Sequence, residues 1–161
     1  MSPRQKPHRS NQAYCTPEDF LHAIRATFGI IAIDLAASGP NVCDRWLGPG
    51  SALAEDALSV DWFPHVPMGG KHLGWVNPPF GDIAPWARKC VAEGERCKIV
   101  MLTPSSLGAN WYCDIVQGHA LTLIVRPRLT FVGESAPYPK DLAIHVFGAG
   151  MVGLGTWRWR Q

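Results

Sequence analysis

The sequence lacks any uncharged apolar run near the roughly 20 residues that a bilayer-spanning helix needs, which argues against a membrane span. It lacks cysteine pairing signals. Cys15, Cys43, Cys90, Cys97 and Cys113 are odd in number and none sits in a C-x-x-C pair, which argues against a zinc site and a full disulfide framework. Reduced thiols in a cytoplasmic protein are the expectation. Residues 1–13 lack an apolar core, so no signal peptide is expected. Charge is scarce too, at 17% of residues against 47% hydrophobic ones, the balance of a globular chain rather than a disordered one.

What remains is 161 residues, a length that suits one domain with a core of its own. The expected division is a flexible basic tail over 1–13 and a folded domain over 14–161. The formal net charge of +2 is compatible with a nucleic-acid partner without requiring one. Basic residues gather in the tail (Arg4, Lys6, Arg9), in a middle loop (Arg126, Arg128) and near the C-terminus (Arg158, Arg160). An ordinary solvated surface explains them equally well.

Apolar periodicity orders the chain. Thr16-Pro17-Glu18-Asp19 reads as a helix start, with Thr16 capping and Asp19 in the capping-box position. Phe20, Leu21, Ile24 and Phe28 then share a face, and Gly29 ends the helix. Residues 30–35 form a short buried strand, residues 36–53 are loop-like, and residues 57–62 suit a second short strand. Residues 72–76 make a strand that runs into Asn77-Pro78-Pro79-Phe80. Asp82 is placed to cap a helix in which Ile83, Trp86, Ala87, Cys90 and Val91 line one face while Arg88, Lys89 and Glu93 point away. Strands at 99–102, 121–125 and 142–147, a helix at 107–117 and a returning hairpin over 151–159 complete the reading. Alternating strands and helices predict an α/β fold, a mostly parallel sheet with a C-terminal β-hairpin. Ligands of such sheets bind at the carboxyl ends of the strands.

Asn77-Pro78-Pro79-Phe80 is the sharpest chemical signal. Consecutive prolines fix φ and remove two N–H donors, leaving a stiff corner rich in carbonyl acceptors. Asn77 adds a side-chain carbonyl and Phe80 a flat π-face. Together they suit a planar heterocycle that bears an amino group. Hydrogen bonds to both N–H groups would localise the nitrogen lone pair, so that positioning and electrostatics carry most of the catalysis. A rigid turn without chemistry is the plainer reading. The motif's place directly after a buried strand favours the functional one.

The segment Trp75-Val76-Asn77-Pro78-Pro79-Phe80-Gly81, followed by Trp86, resembles the catalytic loop of phage-type Dam-like DNA N6-adenine methyltransferases. Tyr14-Cys15-Thr16-Pro17, Ile33-Asp34-Leu35-Ala36-Ala37, Asp56-Ala57-Leu58 with Asp61-Trp62, Leu102-Thr103-Pro104 and the Arg126–Phe131 segment resemble further family motifs in the same order. The resemblance implies an abbreviated, single-domain Rossmann-like methyltransferase fold and S-adenosyl-L-methionine as cofactor. It implies that Thr16, Pro17, Asp34, Ala36, Ala37, Asp56 and Ala57 hold that cofactor. Asn77, Pro78, Pro79 and Phe80 would form the catalytic corner, with Phe80 stacking on a flipped adenine. DNA is the implied partner, with Arg126 and Arg128 as DNA contacts, in the cytoplasm of a bacterial host if the gene is a phage's. Only 21 residues separate Asp34 from Asp56, so the usual second strand and its helix must be short or absent.

Other acceptors offer the same planar amino group: cytosine N4, an RNA base or a protein glutamine. A non-catalytic DNA- or cofactor-binding module also stays open. Gly148-Ala149-Gly150-Met151-Val152-Gly153 fits the letters of a dinucleotide fingerprint, but only eight residues follow, too few for the helix, second strand and distant acid it needs. A glycine-rich hairpin turn is the expectation there. The six histidines are scattered, and no metal is expected. Trp157-Arg158-Trp159-Arg160 alternates faces as a strand would.

Overall fold

The computed structural model describes residues 14–39 and 41–161. The expected tail over 1–13 lies outside them. Helix α1 (Glu18–Phe28) leads into β1 (Ile30–Asp34). There follow two single 3-10 turns (Ala57–Ser59 and Phe63–His65), β2 (His72–Val76), α2 (Ala84–Gly94), β3 (Ile99–Pro104) and a π turn (Tyr112–Val116). Strands β4 (Leu121–Arg126), β5 (Leu142–Phe147) and β6 (Gly153–Arg158) complete the chain. The six strands form one sheet in the order β1-β2-β3-β5-β4-β6. Every neighbouring pair is parallel except the two that involve β5. Five strands therefore end on one rim, and β5 begins there.

Strand periodicity divides the core. Ile99 and Met101 of β3 face one layer with Val76, Ala87, Cys90 and Val116. Val100 and Leu102 face the other with Phe20, Leu21, Ile24 and Trp75. All of β3 and all of β5 are buried, as strands covered on both faces must be. Burying a side chain such as Phe20, 0% exposed, stabilises the fold by about 1.5–3 kcal/mol. His145 of β5 lies between the hydroxyls of Thr103 and Thr122, each 2.9 Å from a ring nitrogen. Thr103 donates to the Pro104 carbonyl, so it accepts from Nε2–H, and Nδ1 accepts from Thr122. Burial pushes the imidazole pKa down to about 3, and the ring is neutral.

The structure departs from the sequence expectation in six places. The C-terminal hairpin does not form: β6 pairs in parallel with β4, which lies between it and β5. Residues 57–62 are not a strand. Asp56 accepts a hydrogen bond from Leu58 N–H (3.0 Å) and Trp62 Nε1–H donates to the Ala57 carbonyl (2.8 Å), which curls the segment into a turn. The caps differ as well. Pro17 occupies the cap of α1 and its carbonyl receives the Phe20 and Leu21 N–H groups. Ile83 rather than Asp82 stands at the cap of α2, without a side-chain bond. Finally, Glu93 points inward and is 6% exposed, and the expected helix over 107–117 contracts to the π turn and the residues just before it. Gly29 does end α1, at φ 127°; a Cβ there would meet the Lys71 carbonyl oxygen at 2.6 Å.

Candidate active site

Asn77 leaves β2 at the carboxyl rim. Its Nδ2 donates to the Tyr14 carbonyl (2.8 Å) and to Thr16 Oγ1 (3.2 Å). Both amide hydrogens are committed, which fixes the amide orientation and leaves Oδ1 as an acceptor without a partner among the described residues. Thr16 can serve Asn77 because Pro17 has relieved it of capping. Pro78 is buried and Pro79 half-buried, and the Pro79 carbonyl accepts from Asp82 N–H (3.2 Å). The corner is thus rigid on both sides of the prolines.

Two connected hollows meet at Asn77. The larger is a cavity of about 360 Å³ bordered by Ala36, Ala37, Leu47, Asp56, Ala57 and Pro79, with Trp86 at its back. The smaller is a polar recess of about 20 Å³ bordered by Thr16, Asp34, Trp75 and Asn77. Both include Ala36, Ala37 and Ser38. Of the residues predicted for a cofactor, Thr16, Asp34, Ala36, Ala37, Asp56 and Ala57 therefore line one cleft. Pro17 lies beside it and borders neither hollow.

Asp34 shapes the cleft floor. Its carboxylate accepts from Ala36 N–H (3.2 Å) and Val42 N–H (3.3 Å). Burial raises its pKa, and the two N–H bonds oppose the rise. Its backbone pairs with Arg45 and Leu47, and a single parallel bridge to Trp46 stands in the place of a second strand. Gly48 makes that close return possible. Its φ is 139°, and a Cβ there would lie 2.2 Å from the Ala37 carbonyl oxygen.

The opposite wall is braced from α2. Asp56 spends one carboxylate oxygen on Leu58 N–H. Trp62 stacks on Trp86 at 6.2 Å, with Lys89 Nζ 5.7 Å from the Trp62 ring. Lys89 also pairs with Glu93 at 2.9 Å, and Glu93 accepts from Phe63 N–H at 3.0 Å. Burial would raise the Glu93 pKa, but Lys89 and the Trp62 and Phe63 N–H groups outweigh it and hold the carboxyl below its ordinary value.

Phe80 is half-buried and belongs to an aromatic cluster. Tyr14 stacks on Phe131 (4.6 Å, 27°). Phe80 lies 5.8 Å from Tyr14 and meets Tyr138 edge-on at 5.7 Å. Burial, and then the neighbouring Tyr14, raise the Tyr138 pKa. A further hollow of about 270 Å³ opens against Tyr14, Phe131, Glu134 and Tyr138. Val132 N–H donates to the Cys15 carbonyl at 3.1 Å, so the 129–138 loop is tied to the strip that holds Asn77. Tyr14, Leu47, Gly48, Phe131 and Tyr138 carry no site role in the sequence reading. Tyr14 and Phe131 do stand inside quoted motifs; the others have no local mark.

Arg126 is exposed at the end of β4. Arg128 is engaged with Asp141 (3.1 Å) and the Pro139 carbonyl (3.3 Å). Gly148–Gly153 joins β5 to β6 at the opposite rim, far from the cleft, as a turn. Among the described residues, no group of three His, Cys, Asp or Glu side chains is placed to hold a metal ion, and no helix is long and apolar enough to cross a membrane.

A mixed α/β sheet whose cleft opens at the carboxyl ends of its strands belongs to the large class that binds ligands at that rim. The chain matches the family model described as DNA N-6-adenine-methyltransferase (Dam) over residues 4–143. It belongs to that family. No curated protein matches it.

Proposed function

We propose that the chain transfers a methyl group from S-adenosyl-L-methionine to the N6 amino group of adenine in DNA. The observation that carries this reading is the fixed amide of Asn77, whose Oδ1 remains an acceptor where the two hollows meet. An oriented carbonyl there can take an N–H of an aromatic amine and draw its nitrogen toward tetrahedral geometry. The Pro78 carbonyl would take the other N–H, and Phe80, with Pro79 beneath, would offer the base an apolar face. Preorganised dipoles of this kind act without reorganising during the reaction.

The cleft suits the cofactor. A largely apolar cavity of about 360 Å³ accepts a nucleoside, and acidic groups at Asp34, Glu55 and Asp56 complement a cation. When bound, S-adenosylmethionine supplies an electrophilic methyl on its sulfonium. Asp56 has a second carboxylate oxygen for an adenine amino group, with Ala57 beside the ring. Ala36 and Ala37 would pack along the ribose. Asp34, Thr16 and Pro17 would enclose the methionine end. DNA would lie across the basic rim near Arg126 and Arg128, and residues 14–161 would act as one catalytic unit in the cytoplasm.

The test is transfer of labelled methyl to DNA, followed by mass spectrometry of the nucleosides. N6-methyladenine is expected. N4-methylcytosine, or label in RNA or protein glutamine instead, would replace the acceptor. Calorimetric titration with S-adenosylmethionine separates an enzyme from a binding module. Absence of both heat and transfer would overturn the proposal.

A further inference from the structure

We infer that Arg126 and Arg158 form a two-pronged clamp for one backbone phosphate of the duplex, some way along the rim from the target base. The inference rests on the DNA reading above. Arg126 and Arg158 are register partners on the parallel strands β4 and β6. Partners on adjacent strands point to the same face, about 4.8 Å apart. The preceding partners, Val125 and Trp157, point to the other face and join the α1 layer, so the two arginines share the opposite face at the rim. Both are exposed.

Neither guanidinium makes a hydrogen bond or ion pair among the described residues. Two acids at this end of the sheet have other partners: Asp141 pairs with Arg128 (3.1 Å) and Asp19 with Arg160 (3.6 Å). Residues 1–13 and residue 40 contain no Asp or Glu. Like charges placed directly across a strand pair are destabilising. A phosphate between them reverses the sign of that term, and guanidinium groups bind phosphate through paired N–H bonds. The backbone beneath is firm: Trp159 N–H donates to the Arg126 carbonyl (3.0 Å) and Trp159 Nε1–H to the Pro127 carbonyl (2.8 Å).

The pair also sits at a useful distance. Strands β3 and β5 separate β2 from β4, which places Arg126 about 14 Å along the rim from Asn77 at ordinary strand spacing. At about 3.4 Å per nucleotide along one strand, that is roughly four steps from the target. The clamp would set the register of the duplex without reading its sequence.

The experiment measures affinity of the full chain for a mixed-sequence DNA duplex by fluorescence anisotropy across a salt series. Replacing both residues, Arg126→Gln with Arg158→Gln, should weaken binding about tenfold and flatten the slope of log affinity against log salt by about 1. Arg96→Gln, between α2 and β3 at the opposite rim, should leave the slope unchanged. Arg126→Lys with Arg158→Lys should restore most of the slope, since the charges return, while recovering only part of the affinity. S-adenosylmethionine affinity and the thermal midpoint should not fall in the double glutamine variant, since a repulsive contact has been removed. A wild-type slope in that variant, with wild-type binding intact, would overturn the clamp alone. A wild-type chain that binds no duplex would overturn the clamp together with the proposed function.

Discussion

The two ends of the cleft are built on different scales of sequence distance. At the Asn77 end, the amide is held by groups 63 and 61 residues earlier in the chain. At the Asp56 end, the key bonds span 2 residues (Asp56 to Leu58) and 5 residues (Trp62 to Ala57). In the proposed function the remote end orients a reacting group, and the local end shapes a binding wall. Substitutions at the first should therefore act on rate, and substitutions at the second on cofactor affinity.

The largest effect should come from Asn77→Ala. Methyl transfer in single turnover should fall by about 10²–10³-fold, the cost of removing one preorganised polar group from such a site, with cofactor affinity nearly intact. Equal loss of rate and cofactor affinity would erase the contrast between the ends. Thr16→Ala comes next. It removes one of the two anchors of the amide, a hydrogen bond with a net contribution of about 1 kcal/mol, so a rate loss of about five- to tenfold is expected. Thr16→Ser should recover it.

At the other wall, Lys89→Met should weaken S-adenosylmethionine binding several-fold in calorimetry, with the saturated rate unchanged. The same substitution should alter the acid response. Glu93 has a depressed pKa in the folded chain, so its contribution to stability is complete above its unfolded pKa, near 4.5. That contribution is lost as pH falls through the lower folded value. Without Lys89 the loss should begin at higher pH, seen as an earlier drop of the melting temperature on acidification. Asp56→Asn should keep its cap to Leu58 N–H through the amide oxygen but lose the acceptor proposed for the cofactor's adenine amino group, so a several-fold loss of cofactor affinity is expected in calorimetry, with the saturated rate unchanged.

His145 provides a separate measure of remote packing. Its folded pKa is about 3 against an ordinary 6.5. The unfolded chain therefore takes up a proton below about pH 6.5 that the folded chain refuses. Stability should be level above that pH and decline as pH drops toward 3. His145→Gln should flatten that arm of a melting-temperature profile.

The same contrast of scales explains what the sequence disclosed. Apolar runs marked β1, β2, β3, β4 and β5, and 3.6-residue spacing marked α1 and α2, because those signals lie within the elements themselves. Asn77 and Asp34 stood out for the same reason, each at the end of an apolar run. Strand pairing carries no such mark. The hairpin expected from residues 151–159 followed from chain proximity, whereas β6 gains its backbone partners on β4. Thr16 looked like a cap because Thr-Pro-Glu-Asp is a helix start, and its bond to a residue 61 positions away has no local trace. Glu93 seemed solvent-facing by helical spacing, yet Lys89 and Phe63 N–H supply the partners that let it turn inward. The 57–62 segment combined apolar and polar residues in a strand-like way, but Asp56 and the Trp62 indole tie it into a turn.

The position of β5 also governs how the chain can assemble during synthesis. β3 and β4 never touch as neighbours, because a strand made later in the sequence is inserted between them. While a ribosome is still adding residues 105–141, the growing sheet has a gap at its centre, and β4 has no permanent hydrogen-bonding neighbour. The segment 142–147 must emerge before the two halves can join, so the cleft acquires its rigid backing only when most of the polypeptide is already outside the exit tunnel.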